Sequence, residues 1–292
     1  MCFNVVVINK RRRNIRTQVL NLLTYAQFNP HGFSIYTVRD GEEMVLRTLS
    51  FKELHSFVKE SVSDNELVHM HFRFATSGSV SVENVHMWRV EHPSGYYYAS
   101  HNGVVHKYTT IDYGWWLGKR RAPRAREVRE SDSYMLVSSE EFRRAIFEDC
   151  GALPSVLAES GFYGVMLLTN PRRLVVIAYR KPAHVTVSNG VLYISNEYIG
   201  DEVAAKRRVY GFSFIGALHT TIENKALFYS LESMGVEREV ELEVERAAYS
   251  AYSHLYYDYY HYPSRHKRSD EELVDDWEWQ EELDWWLSRK SP

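Results

Sequence analysis

Cysteine and long apolar runs are both scarce in this sequence. The only cysteines are Cys2 and Cys150, too few for the disulfide framework of a small secreted protein. No stretch approaches the length of a membrane-spanning helix. The apolar start FNVVVI is too short for a signal-peptide core, and the basic run 10–13 follows it instead of preceding it. We therefore expect a cytoplasmic protein with no membrane partner.

An excess of charge of one sign is also missing. The chain has 35 Lys and Arg against 38 Asp and Glu, a formal net charge of -3, which gives no general indication of nucleic-acid binding. The basic runs 10–13 and 119–129 lack interleaved aromatic residues, so solvated loops are the favoured interpretation. The 13 histidines lack the Cys/His spacing of a metal site, and there is no Gly-rich phosphate loop. We predict no metal and no cofactor.

Hydrophobic residues make up 45% of the 292-residue chain, enough for a substantial core. Strand patterns alternate with paired helical patterns, which indicates a layered α+β fold. The predicted helices are 16–25, 50–61 and 138–160, the last with a break near Gly151 and Pro154. The predicted strands are 2–8, the stretch ending at Asp40-Gly41, LVHMHFRFAT, two arms around Asn102-Gly103, YGVMLLT, RLVVIAYR, HVTVS and VLYIS.

The character of the chain changes after about residue 196. Beyond it come the strand-like REVELEVER, a tyrosine-rich segment, and a Trp-rich acidic helical pattern that begins with a capping box at Ser269 and Glu272. We predict one domain over residues 2–200. Residues 201–292 form an extension that packs on this core or binds a partner.

Cys2 is the first candidate for chemistry. A cysteine after the initiator methionine is small enough for methionine removal, which would place a thiol beside a free α-amino group. That amine has an ordinary pKa of about 7.7–8.0 and can act as a general base near neutrality. Taken alone, a packing role for Cys2 is the better interpretation.

Three further sites have two interpretations each. Asn102-Gly103 is a strong hairpin-turn signal, or else an oxyanion hole made by the Asn102 amide and the Gly103 N–H. Arg73 pairs with an acid at a sheet edge, or grips a substrate carboxylate with its planar fork. Asp132 caps a helix or turn, or binds a substrate ammonium group.

Taken in order, these motifs resemble those of the class II glutamine amidotransferases, which belong to the N-terminal nucleophile hydrolases. The family has an N-terminal cysteine, then His-x-Arg-x-Ala-Thr-x-Gly, His-Asn-Gly and Ser-Asp. The corresponding residues here are Cys2, His71 to Gly78, His101-Asn102-Gly103 and Ser131-Asp132. Asn84 and His86 also match an Asn-x-His-Pro segment, with Met87 in place of the proline. The turn HGFSIY differs from the family pattern at Ser34 and Tyr36. The resemblance covers about the first two thirds of the chain.

The resemblance implies a four-layer αββα sandwich and an enzyme that hydrolyses the glutamine side-chain amide through a thioester on Cys2. The sequence adds a helical and tyrosine-rich C-terminal extension to this fold. Asn102 and Gly103 would stabilise the oxyanion, while Arg73 and Asp132 would hold the α-carboxylate and α-ammonium groups. The remaining substrate-binding candidates are Ala75, Thr76, Gly78 and His101. A separate synthase subunit would accept the ammonia. Two alternatives stay open: hydrolysis of another γ-glutamyl amide, and a catalytically inactive scaffold or binding protein.

Overall fold

A computed structural model describes residues 2–75, 77–108, 130–188, 190–199 and 218–243. Residues 1–241 form one compact unit, and nearly all of the second unit, 242–292, lies outside the described residues. The predictions for the basic run 119–129, the tyrosine-rich segment and the Trp-rich helix also concern residues outside the described part of the chain. Among the described residues, no helix has the length and apolarity needed to span a membrane.

The described residues form thirteen strands and five α-helices. The strands are β1 Phe3–Ile8, β2 Phe33–Arg39, β3 Glu42–Thr48, β4 Leu67–Phe72, β5 Trp88–His92, β6 Gly95–Val105, β7 Phe162–Thr169, β8 Arg173–Tyr179, β9 Ala183–Ser188, β10 Val191–Ser195, β11 Leu218–Ile222, β12 Lys225–Ser230 and β13 Gly235–Glu241. The α-helices are α1 Arg16–Leu22, α2 Phe51–Ser61, α3 Asp132–Ser138, α4 Glu140–Phe147 and α5 Leu153–Ser160, and short 3₁₀ helices occupy Leu23–Phe28, Val82–Asn84 and Cys150–Ala152.

Two antiparallel sheets face each other and confirm the predicted α+β class. Sheet 1 has the order β11-β9-β10-β1-β4-β2-β3, and sheet 2 has the order β13-β12-β8-β7-β6-β5. Apolar side chains from both sheets, such as Val6, Tyr36, Leu167 and Val176, form the core between them. Because β1 is central and covered on both faces, all six residues of its sequence FNVVVI are buried, and all but Asn4 are apolar.

Helices cover the outer faces of both sheets. Helix α2 packs on β2 and β3, with Phe51 edge-on to Phe33 at 5.9 Å between ring centroids. The 3₁₀ helix that continues α1 supplies Tyr25, which stacks on Phe3 at 4.1 Å. On sheet 2, α3 and α4 contact β5 and α5 contacts β7. The result is the predicted αββα arrangement.

One feature differs from the sequence-based expectation. Asn102-Gly103 is not a hairpin turn: both residues lie inside the single long strand β6, paired with Val165 and Gly164 of β7. The local Asn-Gly signal is overridden because β6 is paired along its whole length with neighbouring strands. Part of the predicted extension packs on the core: within residues 218–241, strands β11 to β13 lengthen both sheets.

Candidate active site

The thiol of Cys2 lies where two central strands of sheet 1 meet. Strands β1 and β4 pair in a register that sets Phe3 opposite Phe72, so Cys2 is next to the chain that leaves β4. The Phe74 N–H donates to the Cys2 Sγ over 3.2 Å, and the thiol lies 3.5 Å from the Phe74 carbonyl oxygen. The main chain after β4 therefore holds the sulfur on one side.

Arg73 follows the last residue of β4 and is only 2% exposed. Its guanidinium donates to the carbonyl oxygens of Ser77 at 2.7 Å, Ser79 at 2.8 Å and Gly78 at 3.4 Å. Within the described part of the chain, no carboxylate lies within ion-pair distance of Arg73. The three bonds leave part of its five-donor fork unused.

The electrostatic environment of the thiol is mixed. Burial raises the pKa of Cys2, whereas the Phe74 N–H and the Arg73 guanidinium lower it and the Asp132 carboxylate raises it further. Burial also lowers the pKa of Arg73, against the attraction of Cys2 and Asp132. The thiol, the guanidinium and the carboxylate thus lie close enough to influence one another's ionisation.

Asp132 begins α3 and is 4% exposed. Its Oδ2 accepts a hydrogen bond from the Val105 N–H at 2.8 Å, and the hydroxyls of Ser131 and Ser133 lie 3.4 Å from Oδ1. Burial raises the pKa of this carboxyl, and the hydrogen bonds from Val105 and Ser133 lower it. A helix N-terminus favours the carboxylate at this position.

Asn84 joins the loop that holds Arg73 to the helix that carries Asp132. Its Nδ2 donates to the Ser79 carbonyl at 3.1 Å, and its Oδ1 accepts from the Ser131 N–H at 2.9 Å. Gly78 belongs to the same junction: it has a φ of +77°, and a Cβ there would lie 3.0 Å from the main chain of Ser131. The positions of Arg73 and Asp132 are therefore coupled through one amide.

Asn102 reaches the same region from sheet 2. It shares a face of β6 with Ser100, whose hydroxyl donates to the Asn4 Oδ1 at 2.6 Å. The Asn4 Nδ2 lies 3.4 Å from the carbonyl of Val165, the residue paired with Asn102. Asn102 is 1% exposed, and in the described structure its Nδ2 has no hydrogen-bond partner. It is a buried donor that lacks an acceptor.

His101 is bonded to the protein through both ring nitrogens. Its Nε2 donates to the Tyr163 carbonyl at 3.2 Å, which leaves Nδ1 to accept from the Ser133 hydroxyl at 2.8 Å. These contacts connect β6 to α3 next to Asp132. The Ala75 N–H donates to His31 Nδ1 at 2.9 Å, and Thr76 lies outside the described residues.

Sequence reasoning missed the polar layer that supports these groups. His69 contacts the hydroxyls of Ser100 at 2.6 Å and Thr169 at 2.8 Å, and Ser100 donates to Asn4. This series of hydrogen bonds connects sheet 1 to sheet 2 at Ser100, two residues before Asn102 in β6. Polar residues at inward positions of otherwise apolar strands were the available signal. The sequence favours a core or hydrogen-bonding role for His69 over metal ligation but does not identify its partners. No group of three or more possible metal ligands occurs in the described residues.

Comparison with known proteins finds structural neighbours only. No family model and no curated protein matches the sequence. The glutamine phosphoribosylpyrophosphate amidotransferase of B. subtilis, in complex with ADP and GMP, superimposes with a TM-score of 0.53 at 12% identity over 84% of this chain and 50% of that chain. An allosteric regulatory enzyme of purine biosynthesis gives a TM-score of 0.53 at 14% identity over the same shares.

This chain has the fold of a glutamine amidotransferase. A class-II domain protein from Silicibacter pomeroyi, with a TM-score of 0.45 at 12% identity, matches over 83% of this chain and its own full length. The chain spans about half the length of the first two neighbours. At these identities the likeness shows the amidotransferase fold, and the activity has to be argued from the site.

Proposed function

We propose that this protein is a glutamine amidotransferase-like enzyme that hydrolyses the side-chain amide of glutamine to glutamate and ammonia through a thioester on Cys2. The observation that carries the proposal is Arg73, a buried cation beside the thiol without a carboxylate partner in the described structure. Buried charges are ordinarily paired. A substrate α-carboxylate would supply the missing partner through the unused part of the guanidinium fork.

The other groups around the thiol complement this assignment. Asp132 would bind the α-ammonium group of the same substrate. The α-carboxylate and the α-ammonium group would then each have a partner of opposite charge. The unpaired Nδ2 of Asn102 is the donor that a developing oxyanion requires. By the family resemblance, the Gly103 N–H is the second donor, and the main chain of Ala75, Thr76 and Gly78 borders the bound glutamine.

The reaction needs a base, because burial raises the pKa of the Cys2 thiol and keeps it protonated near neutrality. Removal of Met1 would free the α-amino group of Cys2 for that role. The sulfur then bonds to the amide carbon, the thiol proton passes through the amine to the leaving nitrogen, and ammonia departs. Water attacks the thioester, glutamate leaves, and the thiol is restored.

The ammonia acceptor belongs to the proposal as well. One structural neighbour is named as a phosphoribosylpyrophosphate amidotransferase, and the present chain spans half of it. We propose that the domain over 2–200 produces ammonia in the cytoplasm for a separate synthase subunit. The extension over 201–292, beyond its three described strands, is the candidate partner-binding part.

The test combines turnover with mass spectrometry of the purified protein. We expect loss of Met1, release of glutamate and ammonia from glutamine, and one adduct on Cys2 after exposure to a glutamine-mimicking diazo ketone. Excess glutamine should slow labelling, and Cys2→Ala should abolish it. We expect Arg73→Lys to lower kcat/KM on the order of a hundredfold because an ammonium group lacks the bidentate fork.

Arg12→Lys is the matched control. Arg12 also makes several guanidinium hydrogen bonds, to Asp40, Asp64 and Glu66, but lies beyond the opposite end of β1. It should retain parental kcat/KM. An intact Met1 with no adduct would contradict the proposal and favour the scaffold alternative. Labelling without glutamine turnover would direct the search to other γ-glutamyl amides.

A further inference from the structure

The side chain of Asn196 contacts the main chain on both sides of Phe3. Strand β10 pairs with β1 as far as Ser195 opposite Val5. One residue later, the Asn196 N–H still donates to the Asn4 carbonyl at 3.2 Å. The Asn4 N–H, however, donates to the side-chain Oδ1 of Asn196 at 2.6 Å, and the Asn196 Nδ2 donates to the Cys2 carbonyl at 3.3 Å.

The amide of Asn196 therefore takes the place of a peptide group at the end of a strand. Its acceptor and donor are arranged like the C=O and N–H of a neighbouring strand, while the main chain itself turns away. A hydrogen bond from the Ser195 hydroxyl to the Glu197 carbonyl closes that turn. Asn196 is 2% exposed, so water does not substitute readily for these bonds.

Cys2 is consequently contacted from both sides, by the residues that follow β4 and by the residue that follows β10. On the β4 side, the Phe74 main chain contacts the sulfur. On the β10 side, Asn196 contacts the carbonyl of the same residue. A residue at a chain terminus has only one peptide bond to fix it, so its position depends on such noncovalent contacts.

We propose that Asn196 is a positioning residue for the nucleophile: its side-chain amide extends sheet 1 by one residue and fixes the main chain of Cys2. The inference rests on the proposed function, in which Cys2 is an N-terminal nucleophile. The described side-chain hydrogen bonds of Asn196 are with the main chain of Cys2 and Asn4, and not with the proposed substrate-binding groups Arg73 and Asp132. We therefore expect Asn196 to affect the rate of attack and not glutamine binding.

Two substitutions separate the two bonds. Asn196→Ala removes both, whereas Asn196→Asp keeps the acceptor for the Asn4 N–H and loses the donor to the Cys2 carbonyl. Asn9→Ala is the matched control, because Asn9 is 0% exposed and its side chain bonds main-chain atoms of Arg13 and Asn65 beyond the other end of β1.

Two measurements on the full chain test the proposal: steady-state glutaminase kinetics, and amide hydrogen exchange at residue 4 by NMR. We expect Asn196→Ala to lower kcat by about ten- to a hundredfold, the order expected for a misplaced reacting group, with KM within about threefold of the parent. Exchange at Asn4 should rise at least about tenfold. Asn196→Asp should lose kcat similarly while Asn4 stays protected, and Asn9→Ala should keep the parental kcat and Asn4 protection.

The outcomes distinguish this inference from the proposed function. If the parent hydrolyses glutamine but folded Asn196→Ala or Asn196→Asp retains its kcat, the positioning role is overturned and the function stands. A change in KM alone would also overturn it. If the parent has no activity, the proposed function fails, and faster exchange at Asn4 in Asn196→Ala would still support the contact with Cys2–Asn4. Unchanged exchange at Asn4 would overturn the contact itself.

Discussion

At the scale of single residues, two glycines determine how closely β6 and β7 approach beside the oxyanion candidate. Gly103 and Gly164 are paired across these strands. A Cβ at Gly103 would lie 1.8 Å from the Tyr163 carbonyl oxygen and 2.6 Å from the His101 Nε2. Because Gly103 has no side chain, the His101 ring has room to contact the Tyr163 carbonyl. Position 103 therefore requires glycine because a larger residue would collide with the backbone of β7, independently of any role of the Gly103 N–H.

We expect Gly103→Ala to destabilise the protein by about 3 kcal/mol or more and to abolish activity, because the two strands must separate to admit the methyl group. Gly235→Ala is the control: Gly235 is also in a strand, and its nearest Cβ neighbour would be a serine hydroxyl at 3.6 Å. Urea unfolding of both variants measures the difference. A Gly103→Ala protein as stable as Gly235→Ala would refute the steric argument.

At the scale of elements, α2 shows how local sequence sets a boundary. Ser50 precedes the helix, and its hydroxyl accepts from the Glu53 N–H at 3.2 Å. The Glu53 carboxylate in turn accepts from the Thr48 hydroxyl at 2.5 Å, and the Thr48 Oγ1 accepts from the Ser50 N–H at 2.9 Å. Phe51, Leu54 and Val58 form the buried stripe. Cap and stripe together explain why the sequence predicts this helix at 50–61, where the structure has Phe51–Ser61 with Ser50 as the cap.

Loss of the cap should cost stability without affecting catalysis. We expect Ser50→Ala to lower the free energy of unfolding by about 1 kcal/mol, since the Glu53 N–H loses its acceptor. Ser56→Ala is the comparison, because Ser56 is exposed in the middle of the same helix and alanine has the higher helix propensity. Thermal or urea unfolding tests this; equal stability of the two variants would argue against the cap.

At the scale of the whole molecule, several buried neutral histidines make the fold sensitive to acid. Burial lowers the pKa of both His69 and His101 to about 3. Burial also lowers the pKa values of His71 and His86, whose rings stack at 3.8 Å. The unfolded chain therefore binds protons that the folded protein does not. This stability is fully present above about pH 6.5 and is lost as the pH falls towards 3.

His69 and His101 should each cost about 2 kcal/mol of stability between pH 7 and pH 5, from the difference between pH 5 and the unfolded pKa. We expect the free energy of unfolding in urea to fall accordingly. His69→Gln, which can donate to Ser100 and accept from Thr169, should reduce the fall by about 2 kcal/mol. Thr220→Gln, which introduces the same side chain at an exposed position of β11 without removing a histidine, should retain the parental dependence. An unchanged pH dependence in His69→Gln would exclude the proposed cause.

Much of the fold follows from local patterns. The apolar run of β1, the capped α2, the break between α4 and α5 and the strands β7 to β10 all correspond to predicted elements. Each depends on periodicity, capping or turn chemistry within a few residues. The prediction that residues of these motifs share a site has a different basis: it follows from the family resemblance of the motifs and not from local patterns.

Other features were decided only by tertiary structure. Asn102-Gly103 has a turn signature, yet pairing with β7 makes it part of a strand, since pairing over eight residues outweighs a two-residue preference. Asn196 lies 194 positions from Cys2, and no local pattern connects them. The sequence by itself determined most of the elements and which side chains are available for chemistry. The antiparallel register of the two sheets decided which of them meet, because hydrogen bonds between distant strands depend on the position of every strand between them.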